Sequence, residues 1–453
     1  MIKTFPKKKR IIILAILFVV SVAPIYSQNS ILNHILPERE RAEIIDDILE
    51  DRIDNLLPQL MSRTNIDMWV LISREYNEDP VMKTMLPSTW LSARRRTMMV
   101  FYNGESGLEK IAIARYSVGN LLKGEWNIDV YPDQWEALVD IIKTKNPKKI
   151  ALNYSEDFAL ADGMIHSEYE KLHTYLPEQF KKRIVSAENL AISWLETRSE
   201  KELELYPMIC KMGHKILQEA FSSSVITAGT TTTDDVIWWL RQRVTELGLS
   251  TWFHPSVSIQ RSEMDKNTFL RSFSKRTKDD VIRKGDLLHV DFGITYLRLN
   301  TDQQQHFYML NEGESIVPEG LVKAFNKGNR LQDILVEQFI PGKTGNEILA
   351  DALNQAKTEN VNASIYTHPI GLHGHAAGPT IGMWDQQSGV KGKGDYPLYE
   401  NTAYSIELFA ASEVEEWGKI VRIMLEEDGV YTNEGFKFLD GRAEKILTIP
   451  RSQ

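Results

Sequence analysis

The stretch LLHVDFGITYLRLNTDQQQ, residues 287–305, carries two aspartates within apolar, strand-like sequence. Asp291 follows the run LLHV, and Asp302 stands at the start of a second run, TDQQQHFYML. A strand often alternates buried apolar residues with solvated polar ones, so either aspartate alone would be interpreted as facing water. The pair becomes informative only when similar residues occur elsewhere in the chain.

Two glutamates lie in comparable surroundings further along, and all four acidic residues are predicted to lie inside strands. Glu407 occurs in YSIELFA and Glu426 in RIMLEED. Burying a carboxylate without a partner costs on the order of several kcal/mol, so cations or protons must lie nearby. Four carboxylates and one neutral imidazole carry a charge of −4, which two divalent ions balance. The charge count therefore favours two metal ions.

The segment THPIGLHGHAAGPT, residues 367–380, supplies the candidate imidazoles and is rich in glycine. Glycines let backbone pass close to a site. Oxygen-rich ligation with one nitrogen suits Mn²⁺ first, and also Co²⁺, Fe²⁺ or Zn²⁺, whereas a structural zinc site would use thiolates. The single cysteine, Cys210, lies in a helical pattern and is predicted to be a core residue. Two such ions would acidify a water molecule for attack.

The order and spacing of these residues resemble the pita-bread metallopeptidase superfamily of methionine aminopeptidase, aminopeptidase P, prolidase and creatinase. The aspartates are 11 positions apart (302 − 291), and His375 follows His368 by 7 (375 − 368). Secreted bacterial Xaa-Pro aminopeptidase-like proteins are the members that the chain resembles most. The resemblance implies five metal ligands: Asp291, Asp302, His368, Glu407 and Glu426.

The resemblance also implies roles for individual residues. Asp302 and Glu426 would bridge two divalent ions, His375 would hydrogen-bond the substrate, and Glu407 would carry a proton to the leaving amine. The implied activity is that of a metallo-aminopeptidase, an exopeptidase that removes N-terminal residues from peptides and is Xaa-Pro directed. Peptides are the implied partners, and a homodimer is compatible with the resemblance.

The implied fold class is α+β, in two domains after the first 28 residues. Residues 36–190 contain strand-like runs and a helical DQWEALVDIIKTKN, which suit an α/β layer of the creatinase N-terminal type. Residues 195–453 correspond to the pita-bread catalytic domain. Its first helices are predicted in LETRSEKELELYPMICKMGHKILQEAF and in TTTDDVIWWLRQRVTELG, the latter with a Thr/Asp N-cap and Gly248 past its end.

Several substrate-recognition positions depart from the family pattern. Ser274 and Ser364 stand where many members carry histidines, and Met424 replaces an arginine. Arg422 would share the strand face of Glu426, and it is a candidate for substrate binding. His254, or His306 on the face of Asp302, is a candidate replacement donor, with a structural role as the alternative. The departures leave the predicted ligands intact and put specificity in question.

The net charge and the N-terminal segment limit the cellular location and the binding partners that we expect for the protein. The formal net charge is −9, and without a basic stripe nucleic acid is not an expected partner. Residues 1–28 contain KKKR, the apolar run IIILAILFVVSVAP and Ser27, the pattern of a cleaved secretory signal, with an uncleaved anchor as the alternative. We therefore expect a secreted or periplasmic protein without membrane contact after cleavage.

Two other functions remain open from the sequence. A pita-bread protein can bind peptides without turning them over, although such proteins typically lose ligands that this chain keeps. A metallohydrolase of a non-peptide bond is the other alternative, because the recognition positions have changed. Metal content together with activity on a peptide panel separates the three.

Overall fold

The computed structural model of the protein describes residues 31–263 and 280–451. The predicted signal segment and Ser274 lie outside the described residues, so the statements about them stay predictions. Within the two described ranges, no helix has both the length and the apolar character needed to cross a membrane.

The N-terminal region contains a sheet with helices on both faces. Helix α1 (Glu38–Asp51) continues through the π-helical residues Arg52–Leu56 into α2 (Leu57–Arg63). The helices are α1 (Glu38–Asp51), α2 (Leu57–Arg63), α3 (Pro80–Thr84), α4 (Gln134–Lys145), α5 (His166–Tyr175), α6 (Glu178–Lys181) and α7 (Glu188–Glu196). The strands are β1 (Met68–Arg74), β2 (Arg96–Gly104), β3 (Gly107–Ala112), β4 (Lys123–Gly124), β5 (Ile150–Leu152) and β6 (Ile184–Ser186).

This first sheet is mixed and has the strand order β4-β3-β2-β1-β5-β6. Strand β1 is antiparallel to β2 and parallel to β5. Trp69 and Leu71 pack toward α2 and α7, whereas Val70 and Ile72 pack toward α4 and α5. Because successive side chains of a strand point to opposite faces, the nearly continuous apolar run of β1 serves two cores.

The C-terminal region is built from four helices and several small sheets in the described residues. Its helices are α8 (Glu200–Ala220), α9 (Thr233–Glu246), α10 (Glu319–Val336) and α11 (Gly345–Thr358). Its strands are β7 (Ser256–Gln260), β8 (Leu287–Phe292), β9 (Thr295–Tyr296), β10 (Leu299–Asn300), β11 (Gln303–Met309), β12 (Asn362–Ile365), β13 (His368–Pro369), β14 (Thr402–Ser405), β15 (Leu408–Val414), β16 (Lys419–Leu425), β17 (Asp428–Thr432), β18 (Gly435–Phe438) and β19 (Leu447–Ile449). The predicted α+β class is confirmed.

The boundaries of helix α9 in the structure agree with those predicted from its capping residues. Helix α9 begins after Thr232, whose side chain accepts from the backbone N–H of Asp235 while the Asp235 carboxylate accepts from that of Thr232. Two orphan donors are thereby satisfied, as in a capping box. Gly248 follows the helix with a φ of +66°, a conformation that favours glycine. Cys210 is buried in α8, as expected for a core residue.

The strands that carry the glutamates are interrupted, which corrects the expectation that all four acidic residues lie inside strands. Of the four, Asp291 alone is inside a regular strand, β8, and Asp302 directly precedes β11. Glu407 lies between β14 and β15, and Glu426 lies between β16 and β17. At both breaks the chain passes from the sheet β13-β14-β17-β18 to the sheet β12-β15-β16 or back. The apolar alternation continues through each break, so the sequence did not reveal it.

A cluster of buried charges joins the two regions. Arg52 donates to Glu202 with 2.6 Å between Nη1 and Oε2, and Arg198 donates to the other oxygen of Glu202 at 3.0 Å. All three side chains are at most 2% exposed. Arg52 also donates to the backbone carbonyl of Thr197 at 2.8 Å. One carboxylate thus compensates two guanidinium groups, one from each side of the junction.

We predict that Glu202→Gln destabilises the protein strongly. The substitution leaves two buried guanidinium groups without a counter-charge, a loss of about 3–5 kcal/mol in the free energy of unfolding. Urea unfolding followed by circular dichroism measures it. Lys201→Ala is the matched control, since it removes an exposed neighbouring ion pair with Asp47 and should cost less than about 1 kcal/mol. Equal stability of the two variants would contradict the assigned role of the cluster.

A second prediction concerns Glu196, a fully buried carboxyl that accepts from Arg63 and from Tyr396, each at 3.2 Å. Burial raises its pKa from about 4.5 to about 8, against the opposing effect of Arg63. The folded protein therefore binds this proton more tightly than the unfolded chain does. The stabilisation of the folded protein by this proton is complete below pH 4.5 and is lost as the pH rises from 4.5 through 8.

Glu196→Gln cannot ionise and should remove this part of the pH dependence. The difference in thermal midpoint between the variant and the wild type should shift in favour of the variant between pH 5 and pH 9. A constant difference across that range would contradict the raised pKa.

Candidate metal centre

The sheet β19-β11-β8-β7 and the junction of the sheets β12-β15-β16 and β13-β14-β17-β18 bring the five predicted ligands together. Their ligand atoms form overlapping groups in which all members lie within 4.8 Å of one another. The groups are Asp291 with Asp302 and Glu426, His368 with Glu407 and Glu426, and Asp302 with His368 and His375. Asp302, Glu426 and His368 each belong to two groups, and Asp302 and Glu426 are the two carboxylates among them, which is compatible with their predicted bridging role.

His368 is oriented toward the carboxylates. Its Nδ1 lies 3.0 Å from the carbonyl oxygen of Pro369, and because a carbonyl oxygen can only accept, Nδ1 is the donor of this hydrogen bond. Its Nε2 lies 3.7 Å from Oδ2 of Asp302 and 3.5 Å from Oε1 of Glu426. Nε2 therefore faces the acidic side of the site.

Two buried polar atoms of the cluster have no hydrogen-bond partner among the described residues: Nε2 of His368 and Oδ1 of Asp302. An unpaired buried nitrogen or carboxylate oxygen is costly, and a cation removes that cost for both atoms at once. Imidazole and carboxylate donors without thiolate suit Mn²⁺, Fe²⁺, Co²⁺ or Zn²⁺. The residues present therefore fit divalent metal ions.

The carboxyl groups repel one another strongly. Burial raises the pKa values of Asp291, Asp302 and Glu407 well above their usual range, and the neighbouring Glu426 raises them further. Without a cation the cluster therefore holds protons more tightly than isolated carboxyl groups do. Divalent ions would favour the ionised carboxylates and displace those protons.

Side chains around the cluster hold the carboxylates in place. Ser405 donates to Oε1 of Glu426 at 2.6 Å, and the backbone N–H of Asp302 lies 3.2 Å from each carboxylate oxygen of Asp428. Gln304 donates to Oε1 of Glu407 at 2.6 Å and to Oε2 of Glu426 at 2.7 Å. The sequence analysis missed Gln304 and Ser405, although each lies two residues from a predicted ligand and so shares its side of an extended chain.

His375 lies beside the predicted ligand histidine, in a partly exposed position. The ring centroids of His375 and His368 are 4.6 Å apart, nearly perpendicular, and the Trp252 ring lies 5.1 Å away. Partial burial and His368 lower the pKa of His375 to about 4, so its ring is neutral at pH 7. A Cβ at Gly374 would lie 2.3 Å from Trp252. Glycine at this position therefore lets residues 367–380, the histidine segment, pack against Trp252.

The predicted substrate-binding residues Arg422 and His254 lie in different surroundings. Arg422 is half-buried on β16, with its guanidinium 4.0 Å from the Phe409 ring centroid, and Phe409 lies opposite Ser364 in the strand register. His254 is exposed, with Nδ1 3.1 Å from Arg241 and its ring 5.4 Å from Trp238, both on α9. The contacts described for His254 are thus with α9, and its role in substrate binding stays a prediction.

His306 has a structural role. Its Nδ1 lies 3.1 Å from the carbonyl oxygen of Leu288, and its Nε2 accepts from the backbone N–H of Met424 at 3.0 Å. Both ring nitrogens therefore bond backbone groups, and the ring joins β8 to β16. These bonds favour a structural role for His306 over a role as a replacement donor to substrate.

Solved structures share this fold. The chain resembles the X-Pro aminopeptidase from Thermotoga maritima MSB8 with a TM-score of 0.60 and 16% identity, covering 86% of this chain and 99% of that one. The Xaa-Pro dipeptidase from Bacillus anthracis gives 0.56 and 14%, covering 91% and 100%. The N-terminal domain of the FACT complex subunit SPT16 from Cicer arietinum (chickpea) gives 0.52 and 13%, covering 91% and 97%. At these identities the likeness shows the fold alone.

At the level of sequence, the model of metallopeptidase family M24 matches residues 207–433, half of the chain. No curated protein sequence matches. The matched residues include all five predicted ligands and His375, and the fold is that of the pita-bread superfamily expected from the sequence. The chain therefore belongs to metallopeptidase family M24, and it is a metal-dependent peptidase by family.

Proposed function

We propose that this protein is a dinuclear exopeptidase that removes N-terminal residues from short peptides, with Xaa-Pro peptides as the first substrates to test. The observation that carries the proposal is the arrangement of ligand atoms, in which Asp302 and Glu426 are shared between neighbouring groups. The group of Asp291, Asp302 and Glu426 and the group of His368, Glu407 and Glu426 share Glu426, and two groups joined through a carboxylate suit two ions better than one. Manganese is the ion that we propose first, because the donor set is rich in oxygen.

The chain's own residues supply positioning and proton transfer. When bound, divalent ions acidify a water molecule and polarise the carbonyl that it attacks. Glu407 is half-buried beside the other carboxylates, and in its ionised form it can take a proton from water and release it to the leaving amine. The neutral His375 can donate a hydrogen bond to the oxygen on which negative charge develops. The Trp252 ring packs edge-on against the His375 ring.

The N-terminal region supports a preference for short substrates. Ala377 and Leu372 of the histidine segment pack in a hydrophobic cluster with α2 and α7. The guanidinium of Arg298, between β9 and β10, donates to the carbonyl of Leu86 at 2.7 Å. The N-terminal region thereby packs against the segment that carries His368 and His375, a placement that would disfavour passage of a long chain.

A peptide-binding protein without turnover is the second candidate, since the fold is also that of the SPT16 domain. Retention of all five ligands favours the enzyme over this candidate. Hydrolysis of a non-peptide bond is the third, because Ser364 is buried on β12 where many family members carry a recognition histidine. Metal-loaded protein that binds peptides without cleaving them, or cleaves another amide, would favour these alternatives.

We predict that metal-stripped protein regains release of N-terminal residues when Mn²⁺ or Co²⁺ is added, with two ions bound per chain. Asp302→Ala should lower both the number of bound ions and the rate, because it removes a carboxylate shared by two groups. Metal analysis and a panel of dipeptides and Xaa-Pro tripeptides measure this. Asp129→Ala, an exposed aspartate of the N-terminal region, is the control and should match wild type. Wild-type protein that is loaded with metal and inert on the whole panel would exclude the peptidase.

A further prediction concerns His375. His375→Ala should reduce kcat/KM by about 10²–10³ while metal content stays that of wild type, because it removes one donor to the developing charge. His373→Ala changes a neighbouring histidine that is outside the grouped ligand atoms, and it should retain near wild-type activity. Loss of metal in His375→Ala would instead make that residue a ligand, and full activity would remove its catalytic role.

A further inference from the structure

Gln304 lies at the centre of the carboxylates and is almost completely buried, at 3% exposure. In the strand register it faces Asp291 of β8 on one side. On the other side it forms a bridge with Glu426, whose carbonyl oxygen accepts from the backbone N–H of Gln304 at 3.0 Å. Backbone pairing therefore fixes this side chain between two elements that carry predicted ligands.

The amide nitrogen of Gln304 bonds one oxygen of each glutamate. It lies 2.6 Å from Oε1 of Glu407 and 2.7 Å from Oε2 of Glu426. The other oxygen of Glu426 lies 3.5 Å from Nε2 of His368. The amide thus holds the two acidic groups at a fixed separation and leaves Oε1 of Glu426 directed toward the histidine ligand.

The Gln304 amide is itself oriented by a hydrogen bond with His289. Nε2 of His289 lies 2.8 Å from the amide oxygen of Gln304. With Nε2 of His289 as the donor, the amide oxygen accepts and both amide hydrogens point to the glutamates. On the far side of the ring, Nδ1 of His289 lies 3.5 Å from the hydroxyl of Ser258 on β7. His289 and Gln304 therefore form a chain of hydrogen bonds that ends on two predicted ligands.

We propose that Gln304 is a positioning residue that prearranges Glu407 and Glu426 for metal binding and thereby sets the metal affinity of the site. The proposal rests on the proposed metal centre. A neutral donor shared by two carboxylates reduces their repulsion before metal arrives, without adding charge that would compete with the ions. Hydrogen-bonding partners of metal ligands typically change metal affinity about 10- to 100-fold when they are removed.

The test is titration of metal-free protein with Mn²⁺ by calorimetry. Gln304→Met keeps the length of the side chain and removes both donors, and it should weaken Mn²⁺ binding about 10- to 100-fold. Gln305→Met is the matched control: Gln305 is also buried, at 8% exposure, but its amide makes a 3.5 Å contact with Glu427 instead. The control should bind Mn²⁺ like wild type.

His289→Leu tests the same chain from its other end and leaves the Gln304 amide present but unoriented. It should weaken Mn²⁺ binding several-fold, and the double variant should bind no more weakly than Gln304→Met alone, because the two residues act as one unit. His289→Leu carries the test if Gln304→Met does not fold. A role in packing alone would lower Tm without changing Mn²⁺ affinity.

The outcomes separate the two proposals. Wild-type protein that binds no Mn²⁺ would refute the metal centre itself. Wild-type protein that binds Mn²⁺, with Gln304→Met or His289→Leu of unchanged affinity, would overturn the positioning role and leave the metal centre standing.

Discussion

Mutual repulsion among buried carboxylates is the constraint on which the rest of the C-terminal region depends. Asp291, Asp302 and Glu407 lie beside Glu426, where partial or full burial limits their solvation, and their pKa values are raised well above the usual range. Such a cluster is unfavourable unless protons or cations compensate it. The unpaired Nε2 of His368 within the same cluster favours cations over protons alone.

The fold brings these groups together by breaking strands. A regular strand directs alternate residues to opposite faces, so it cannot easily concentrate ligands from several strands at one point. The breaks at Glu407 and Glu426 move the chain from one sheet to the next and place both glutamates where the sheets meet. Arg198 packs against Gly371, where a Cβ would lie 2.8 Å from its Cζ. The buried charge cluster between the two regions therefore also contacts the histidine segment.

The sequence predicted the grouped acidic and histidine side chains more completely than it predicted the residues and strand breaks that position them. The family resemblance implied the five side chains, which the structure brings together, and the capping residues of α9 marked its start because a capping signal is local. The strand breaks and the Gln304 amide were missed, since both depend on pairing between distant strands. The bonds of His306 to Leu288 and Met424 likewise could not be inferred without the register.

Anomalous diffraction from crystals grown with Mn²⁺ would test the central claim most directly. The account predicts two manganese peaks, one among Asp291, Asp302 and Glu426 and one beside His368 and Glu407, with Asp302 and Glu426 touching both. Manganese bound only elsewhere on the protein, or a metal-loaded crystal in which these carboxylates turn away from the ion, would contradict it.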